Sequence, residues 1–368
     1  MKKRVRQEKI HVCLYNEEDR EEYINFIANH AYSHVFHTVE WKEFIEHYFH
    51  FKPYYILARN REDEICGVLP LFYIDNYLGK RLESLPLSMY GGFLGDPQSA
   101  IPVLKEAMTM MKELQCYLHI KQWPRGGDLG GSFEEMGLHR AERRINQLLA
   151  IQNPDLMWNS LTSSNRRAIR KAEKNNVIVE KYRTMNDIED VYTIELETRR
   201  RIGMTPHPMQ YYLNMIQSLS PTEHIEMFLA KKDGNTLAST IILNHKQSIN
   251  YFLSASNQEG RRIGANNLLV WNILQWGYDN EYKEFNFGGT PLDAAGKIAS
   301  NFKGLYFFKN SFKTDNIPLS WYYYPNTIDY LDHLTKTHPS IQMARVLLRR
   351  CPLFLLKKTK LMFSKKFV

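Results

Sequence analysis

Hydrophobic and polar positions along this chain keep changing period. In the first half, short alternating or apolar runs predict strands at HVCLY, YYILA, EICGVLPLFYI and RLESLPL, with a turn at 60–63. Spacings of three and four predict helices at 19–29, VEWKEFIEHYF and SAIPVLKEAMTMMKEL, and the last leads into the strand YLHIKQW. The strand INQLLAI follows, and Gln152-Asn153-Pro154 punctuates the chain. The second half repeats this order loosely. A basic helix (SSNRRAIRKAEKNN) and a strand (VIVEKY) come first, then two helices around RRRIGMTPHPMQ, then strands IEMFLA, TLASTIILN and SINYFLSAS. The long helix ANNLLVWNILQWGYDNEY leads to a final strand, EFNF. Hairpin-linked strands followed by a helix and one more strand, twice over, predict an α+β fold of mostly antiparallel sheets covered by helices. The expected domains are 1–152 and 153–326, with a helical tail at 327–368. No repeat is visible residue by residue, so a duplication is expected at the level of structure alone.

The 368 residues, 43% apolar, are enough for two cores. Cys13, Cys66, Cys116 and Cys351 are widely spaced and form no CxxC pair, which predicts free thiols in a reducing cytoplasm. No uninterrupted apolar run is long enough to cross a bilayer. The charge is uneven. The net +8 is matched by the cations beyond Pro339 (Arg345, Arg349, Arg350, Lys357, Lys358, Lys360, Lys365 and Lys366), a stretch without Asp or Glu. Leucines, Val346, Met362 and Phe363 lie between them. Two readings follow: a helix peripheral to an anionic membrane, or a last helix packed on the second domain with its basic face in solvent.

Candidate chemistry gathers in EFNFGGTPLDAAGKIASNFKGLYFFKNSFK, where a strand stops on Gly288-Gly289 and Phe-Lys pairs follow. Glycine at a strand end admits a ligand close to the backbone, and Tyr90-Gly91-Gly92 offers the same after SLPLSM. EGRRIGANNLL joins a strand to a long helix, and a loop there would turn backbone N–H groups toward an anion beside Arg261 and Arg262. Gly264, Ala265 and Asn266 complete this candidate donor-binding loop, which reads equally as a solvated turn that starts a helix. Arg166, Arg170 and Lys174, spaced by four, make a row that either grips phosphates or faces solvent, and Arg199-Arg200-Arg201 is a second such cluster. His30, His34 and His37 lack a carboxylate or cysteine partner in a ligand pattern, so no metal is expected. Walker, Rossmann, G-x-S-x-G and H-E-x-x-H motifs are all missing, so a covalent nucleophile is not indicated.

Several of these stretches together resemble the Fem-type transferases, which look like two GNAT folds in tandem. The resemblance is carried by FHTVEWKEFIEHYF, ICGVLPLFYI, RLESLPLSMYGGFLGD, NRRAIRKAEKNNVIV, FNFGGT and GLYFFKNSF, over roughly residues 35 to 325. It implies two GNAT-like domains and an acyltransferase that joins an acceptor amine to an activated acyl group. By the same resemblance Lys309, next to Phe308, would steady charge on the transferred acyl group. On the residue reading, Gly288 and Gly289 are expected at the donor, and Trp41, Tyr90, Gly91, Gly92, Arg166, Arg170 and His207 at the acceptor. Asn286 stands where the family has an acid, Asn176 and Lys313 where it has glycines. Tyr251, Asn286 and His207 are the candidates for moving the amine's proton. No tightly bound cofactor is expected. The donor would be acyl-CoA or aminoacyl-tRNA, and the acceptor an amino sugar or a small or lipid-linked envelope precursor, at the cytoplasmic side. A non-catalytic membrane-associated scaffold is the rival expectation.

Overall fold

The structure is a computed structural model that describes residues 10–123, 125, 129–182, 184–293, 295–332 and 339–358. In chain order its strands are β1 His11–Leu14, β2 Lys52–Arg59, β3 Ile65–Asn76, β4 Gly79–Ser84, β5 Leu94–Gly95, β6 Tyr117–Gln122, β7 His139–Ala150, β8 Ile178–Lys181, β9 Ile225–Lys232, β10 Asn235–His245, β11 Ser248–Ser256, β12 Glu284–Pro291 and β13 Asp315–Tyr324. The helices are α1 Arg20–Asn29, α2 Val39–Phe44, α3 Pro97–Glu113, α4 Gly130–Glu135, α5 Pro154–Ser160, α6 Ser163–Lys174, α7 Met185–Ile202, α8 Met209–Leu219, α9 Gln258–Ile263, α10 Ala265–Asp279, α11 Lys303–Asn310, α12 Ile328–Asp332, α13 Pro339–Arg350 and α14 Leu353–Lys358.

The chain divides into two units, one of Met1–Glu142 with Leu319–Leu331, the other of Arg143–Pro318 with Asp332–Phe367. In the first, β1, β2, β3 and β4 pair antiparallel in sequence order. The chain then crosses through α3, and β6 lies parallel to β4. Helix α3 buries Val103, Leu104, Ala107, Met110 and Met111, one helical stripe, on a core that includes Ile56, Leu71, Leu82 and Leu118.

The second unit has the same plan. Strands β8, β9, β10 and β11 pair antiparallel, α10 makes the crossover, and β12 lies parallel to β11 and antiparallel to β7. Two helices follow the first strand in each case, α1 and α2 after β1, α7 and α8 after β8. The duplication expected from element order is thus a duplication of topology. Strand β10 is buried on both faces from Thr236 to His245, so its apolar run marks a central strand. Helix α10 is buried around most of its girth at Leu268, Leu269, Val270, Trp271, Ile273 and Leu274. HRAERR, which carries no strand signal of its own, extends INQLLAI into the single strand β7.

Gly264 ties this core together. It caps α9 and opens α10 at φ +86°, and a Cβ there would stand 2.5 Å from the Ala168 carbonyl oxygen of α6. Gly264→Ala should therefore cost about 2–4 kcal/mol, from left-handed strain plus overpacking. Urea unfolding measures this, and an unchanged midpoint would contradict the packing.

In the tail, α13 and α14 pack against α7. Lys360, Lys365 and Lys366 lie outside the described residues, as do Met362 and Phe363.

Candidate functional site

In the second unit, β11 and β12 pair only at Ser248↔Glu284, Ile249↔Phe285 and Asn250↔Asn286. Beyond these, β11 keeps its antiparallel partner β10 and β12 resumes pairing with β7, so the two strands part. The diglycine sits at the parting. The Asn286 side-chain oxygen accepts the Gly288 N–H at 2.8 Å, a local turn that sets Gly288 at φ +73°. The ladder of β12 with β7 shifts register over this same step, between Asn286 and Gly289. A Cβ built on Gly288 meets nothing nearer than the Tyr251 carbonyl oxygen, at 4.0 Å. Bare backbone therefore borders open space here.

Lys309, on α11, is only 3% exposed. Its ammonium donates to the carbonyl oxygens of Gly288 (3.0 Å) and Gly289 (3.2 Å) and to Thr290 Oγ1 (3.3 Å). Three hydrogens are matched by three protein acceptors. Thr290 in turn donates to Gln147 Oε1 at 2.8 Å, and Gln147 Nε2 donates to Thr314 Oγ1 at 3.1 Å, so the chain of bonds has one direction. Burial, and secondarily the Arg144 charge, pull the Lys309 amine down to about 7. Phe308 packs on Phe312, which packs on Phe287, fixing α11 to β12. Asn146, opposite Gly289 on β7, is fully buried, and its side-chain amide has no partner among the described residues. Thr290, Gln147, Thr314, Arg144 and Asn146 escape sequence reasoning because their polarity acquires meaning only through strand pairing.

Tyr251 lines the other strand. Its hydroxyl accepts from Asn266 Nδ2 at 3.4 Å, Ser254 donates to Asn266 Oδ1 at 3.1 Å, and Thr240 donates to Ser254 at 3.2 Å. Burial pushes the Tyr251 phenol up, so it stays protonated at neutral pH. The expected anion loop after β11 is instead mostly helical. Asn257 caps α9 through the Gly260 N–H, and Gly264 is committed to packing rather than to a ligand. Arg261 reaches back to the Ser256 carbonyl, while the Arg262 side chain stands exposed and its carbonyl accepts from Lys171 at 2.8 Å. Ala265 is buried at the first turn of α10.

Other expected residues have structural partners. Arg166 donates to the carbonyls of Trp158, Asn159 and Leu161, closing the end of α5, and Arg170 lies over the Trp158 ring at 5.4 Å. Two of the row's three cations are thus turned to α5 rather than forming an open phosphate grip. His207 stacks on Tyr211 with ring centroids 4.1 Å apart, and burial, reinforced by Arg199, lowers it to about 3. A base that weak is a poor proton acceptor for an amine. In the first unit Trp41 is fully buried between Phe36 and Phe44, and Tyr90 is buried against His34 and Trp123. A Cβ on Gly91 or Gly92 would collide with Leu85 (2.6 Å) or Gln122 (2.5 Å), so these glycines serve internal packing. His37 Nδ1 accepts the His34 N–H at 3.1 Å.

The matching parting in the first unit, between β4 and β6, is filled by the chain itself. Lys121 donates to Glu83 (2.8 Å) and to the carbonyls of Leu85 (3.0 Å) and Ser88 (3.1 Å), and Gln122 clamps both the N–H and the carbonyl of Phe93. Burial alone would raise the Glu83 carboxyl, but the Lys121 and Arg81 charges outweigh it and hold it well below the usual range. Of the two partings, the one in the second unit has bare backbone beside open space.

Residues 160–304 match the acetyltransferase (GNAT) domain family. Over 188 residues the chain is 22% identical to a UDP-N-acetylmuramoylpentapeptide-lysine N(6)-alanyltransferase of Weissella viridescens, covering 49% of this chain and 53% of that protein. It thus spans about half the length of this curated relative. Among solved structures, FemX superposes with a TM-score of 0.68 at 16% identity, covering 85% of this chain and 96% of that one. A tandem GNAT protein from the clavulanic acid biosynthesis pathway superposes with a TM-score of 0.55 at 11% identity, covering 86% and 98%.

Proposed function

We propose that this chain is a FemAB-like GNAT acyltransferase, a reading its matched domain and its fold support, and that it makes an amide by direct attack of an acceptor amine on an activated acyl donor at the parting of β11 and β12. The observation that carries this reading is the diglycine backbone, open at Gly288 and held through the Gly288 and Gly289 carbonyls by buried Lys309.

The neutral amine adds to the donor carbonyl, a tetrahedral oxyanion forms, and its collapse expels a thiolate or a ribose hydroxyl. The proton lost by the attacking nitrogen leaves with that group. Neither Asn286 nor Tyr251 serves as a base at neutral pH: Asn286 is an amide that builds the turn, and the Tyr251 phenol is raised, while the Lys309 amine, lowered to about 7, is occupied by Gly288, Gly289 and Thr290. Rate therefore comes from placing two substrates and from stabilising the oxyanion. Lys309 acts on the backbone that faces the donor. Donating to the Gly288 and Gly289 carbonyls, it polarises those peptides and sets a positive charge in a low-dielectric site. It is a positioning residue in this scheme, and the buried Asn146 amide beside Gly289 is a polar group left for the substrate.

The Weissella relative is named for alanyl transfer to the lysine of a UDP-linked muramoyl pentapeptide, which favours an envelope precursor as acceptor. The donor is acyl-CoA or aminoacyl-tRNA. Thermal shift of the full chain against acetyl-CoA, longer acyl-CoAs and aminoacyl-tRNA separates the two: one donor class should raise the melting temperature by several degrees at saturation. Stabilisation by none of them would favour a non-catalytic scaffold.

A further inference from the structure

Helix α13 has two unlike sides. On one it meets α7 closely enough that a Cβ on Gly203 would stand 2.8 Å from the Arg345 carbonyl oxygen, and Arg349 reaches the Ile202 carbonyl at 3.4 Å. Ile341, Arg345 and Leu348 are half-buried, and Leu356 of α14 is buried. On the other side Met343 (64% exposed), Val346 (46%) and Leu347 (62%) project into solvent, spaced as one helical stripe that Arg350 continues. Arg349 and Arg350 are exposed at its end, and Leu355 (43%) and Lys357 repeat the apolar-cationic mixture on α14. Acids are missing from Pro339 onward, whereas cations and acids balance in the rest of the chain.

We propose that this face of α13 and α14 docks on an anionic lipid surface, with the helices lying in the plane of the headgroups. The inference is independent of the acyl-transfer reading. The apolar stripe selects a bilayer over a nucleic acid, because phosphate contacts use the arginines and leave Met343, Val346 and Leu347 in water. No helix among the described residues is long and apolar enough to span a membrane, so the contact is peripheral. The two readings of the basic tail are therefore compatible: one face packs on the protein while the other is left for the bilayer.

The test is sedimentation of the full chain with phosphatidylcholine vesicles, with and without phosphatidylglycerol. Two variants are compared with wild type: Met343→Ser with Val346→Ser and Leu347→Ser, and, as the arginine variant, Arg350→Glu with Lys357→Glu. All five side chains are exposed, and an unchanged thermal midpoint verifies folding. Wild type should bind only phosphatidylglycerol vesicles, and each variant should lose affinity about tenfold or more. Added salt should weaken the wild type. Equal sedimentation with both vesicle types, or none with either, would overturn the proposal. Binding of deacylated tRNA that the arginine variant loses and the serine variant keeps, without vesicle binding, would assign the face to nucleic acid instead.

Discussion

Lys309→Met should lower kcat by about 10²–10³-fold, the cost typical of losing one preorganised charge or donor at a developing oxyanion. The donor KM should move far less, because the residue grips the Gly288 and Gly289 carbonyls rather than the donor. Stability should change by no more than about 2 kcal/mol, since methionine leaves carbonyls unpartnered but removes a buried charge. The pH dependence carries a distinct signature. The folded value of about 7 lies below the ordinary 10.5, so the unfolded chain binds more protons between these limits. Stability contributed by this group rises with pH across that window. The methionine variant should lack that rise, and wild-type turnover should lose the contribution of the charged lysine as pH climbs past about 7. Undiminished turnover in the variant, with the expected donor, would remove Lys309 from the mechanism.

Gly288→Val should raise the donor dissociation constant by about 10²-fold, roughly 3 kcal/mol. The added side chain fills the space between Gly288 and the Tyr251 carbonyl, where a Cβ has 4.0 Å of clearance. Positive φ at this residue adds a stability cost of about 1–3 kcal/mol, so a control is needed. Gly296 has the same φ of +73°, and a Cβ placed there would meet no atom within 4 Å. Gly296→Val should share the strain and leave donor binding unchanged. Calorimetric titration with the donor found by thermal shift distinguishes them, and equal donor affinity in Gly288→Val and wild type would place the donor elsewhere.

The fold was legible wherever local pattern and tertiary role agree. Alternation in VIVEKY, TLASTIILN and SINYFLSAS found strands, and helical spacing found α3 and α10. The diglycine and Lys309 could be associated because β12 and α11 are close in sequence, so a short connection brings them together. Of the two readings of the stretch after β11, the glycines suggest the one with irregular backbone. In fact Asn257 caps a helical turn, and Gly264 is demanded by the Ala168 carbonyl of α6, a contact no local pattern encodes. Arg166 and Arg170 share their spacing with any solvated charge row, and only the end of α5 reveals that they are satisfied internally. Trp41, Tyr90, Gly91 and Gly92 read as open to an acceptor, yet a strand end rich in glycine and aromatics serves equally well to pack a core tightly. Gln147 and Thr314 are unremarkable polar residues until β7 and β12 pair and place them in line with Thr290.

The central claim is that the donor's acyl carbonyl lies against the Gly288-Gly289 backbone where β11 and β12 part. A crystal structure with an unreactive donor analogue, a thioether of coenzyme A or a non-hydrolysable aminoacyl-RNA end, tests it most directly. The account predicts the acyl group between the two strands, within hydrogen-bond distance of that backbone and with Lys309 still bound to its far side. An analogue seated elsewhere, with the diglycine untouched, would contradict it.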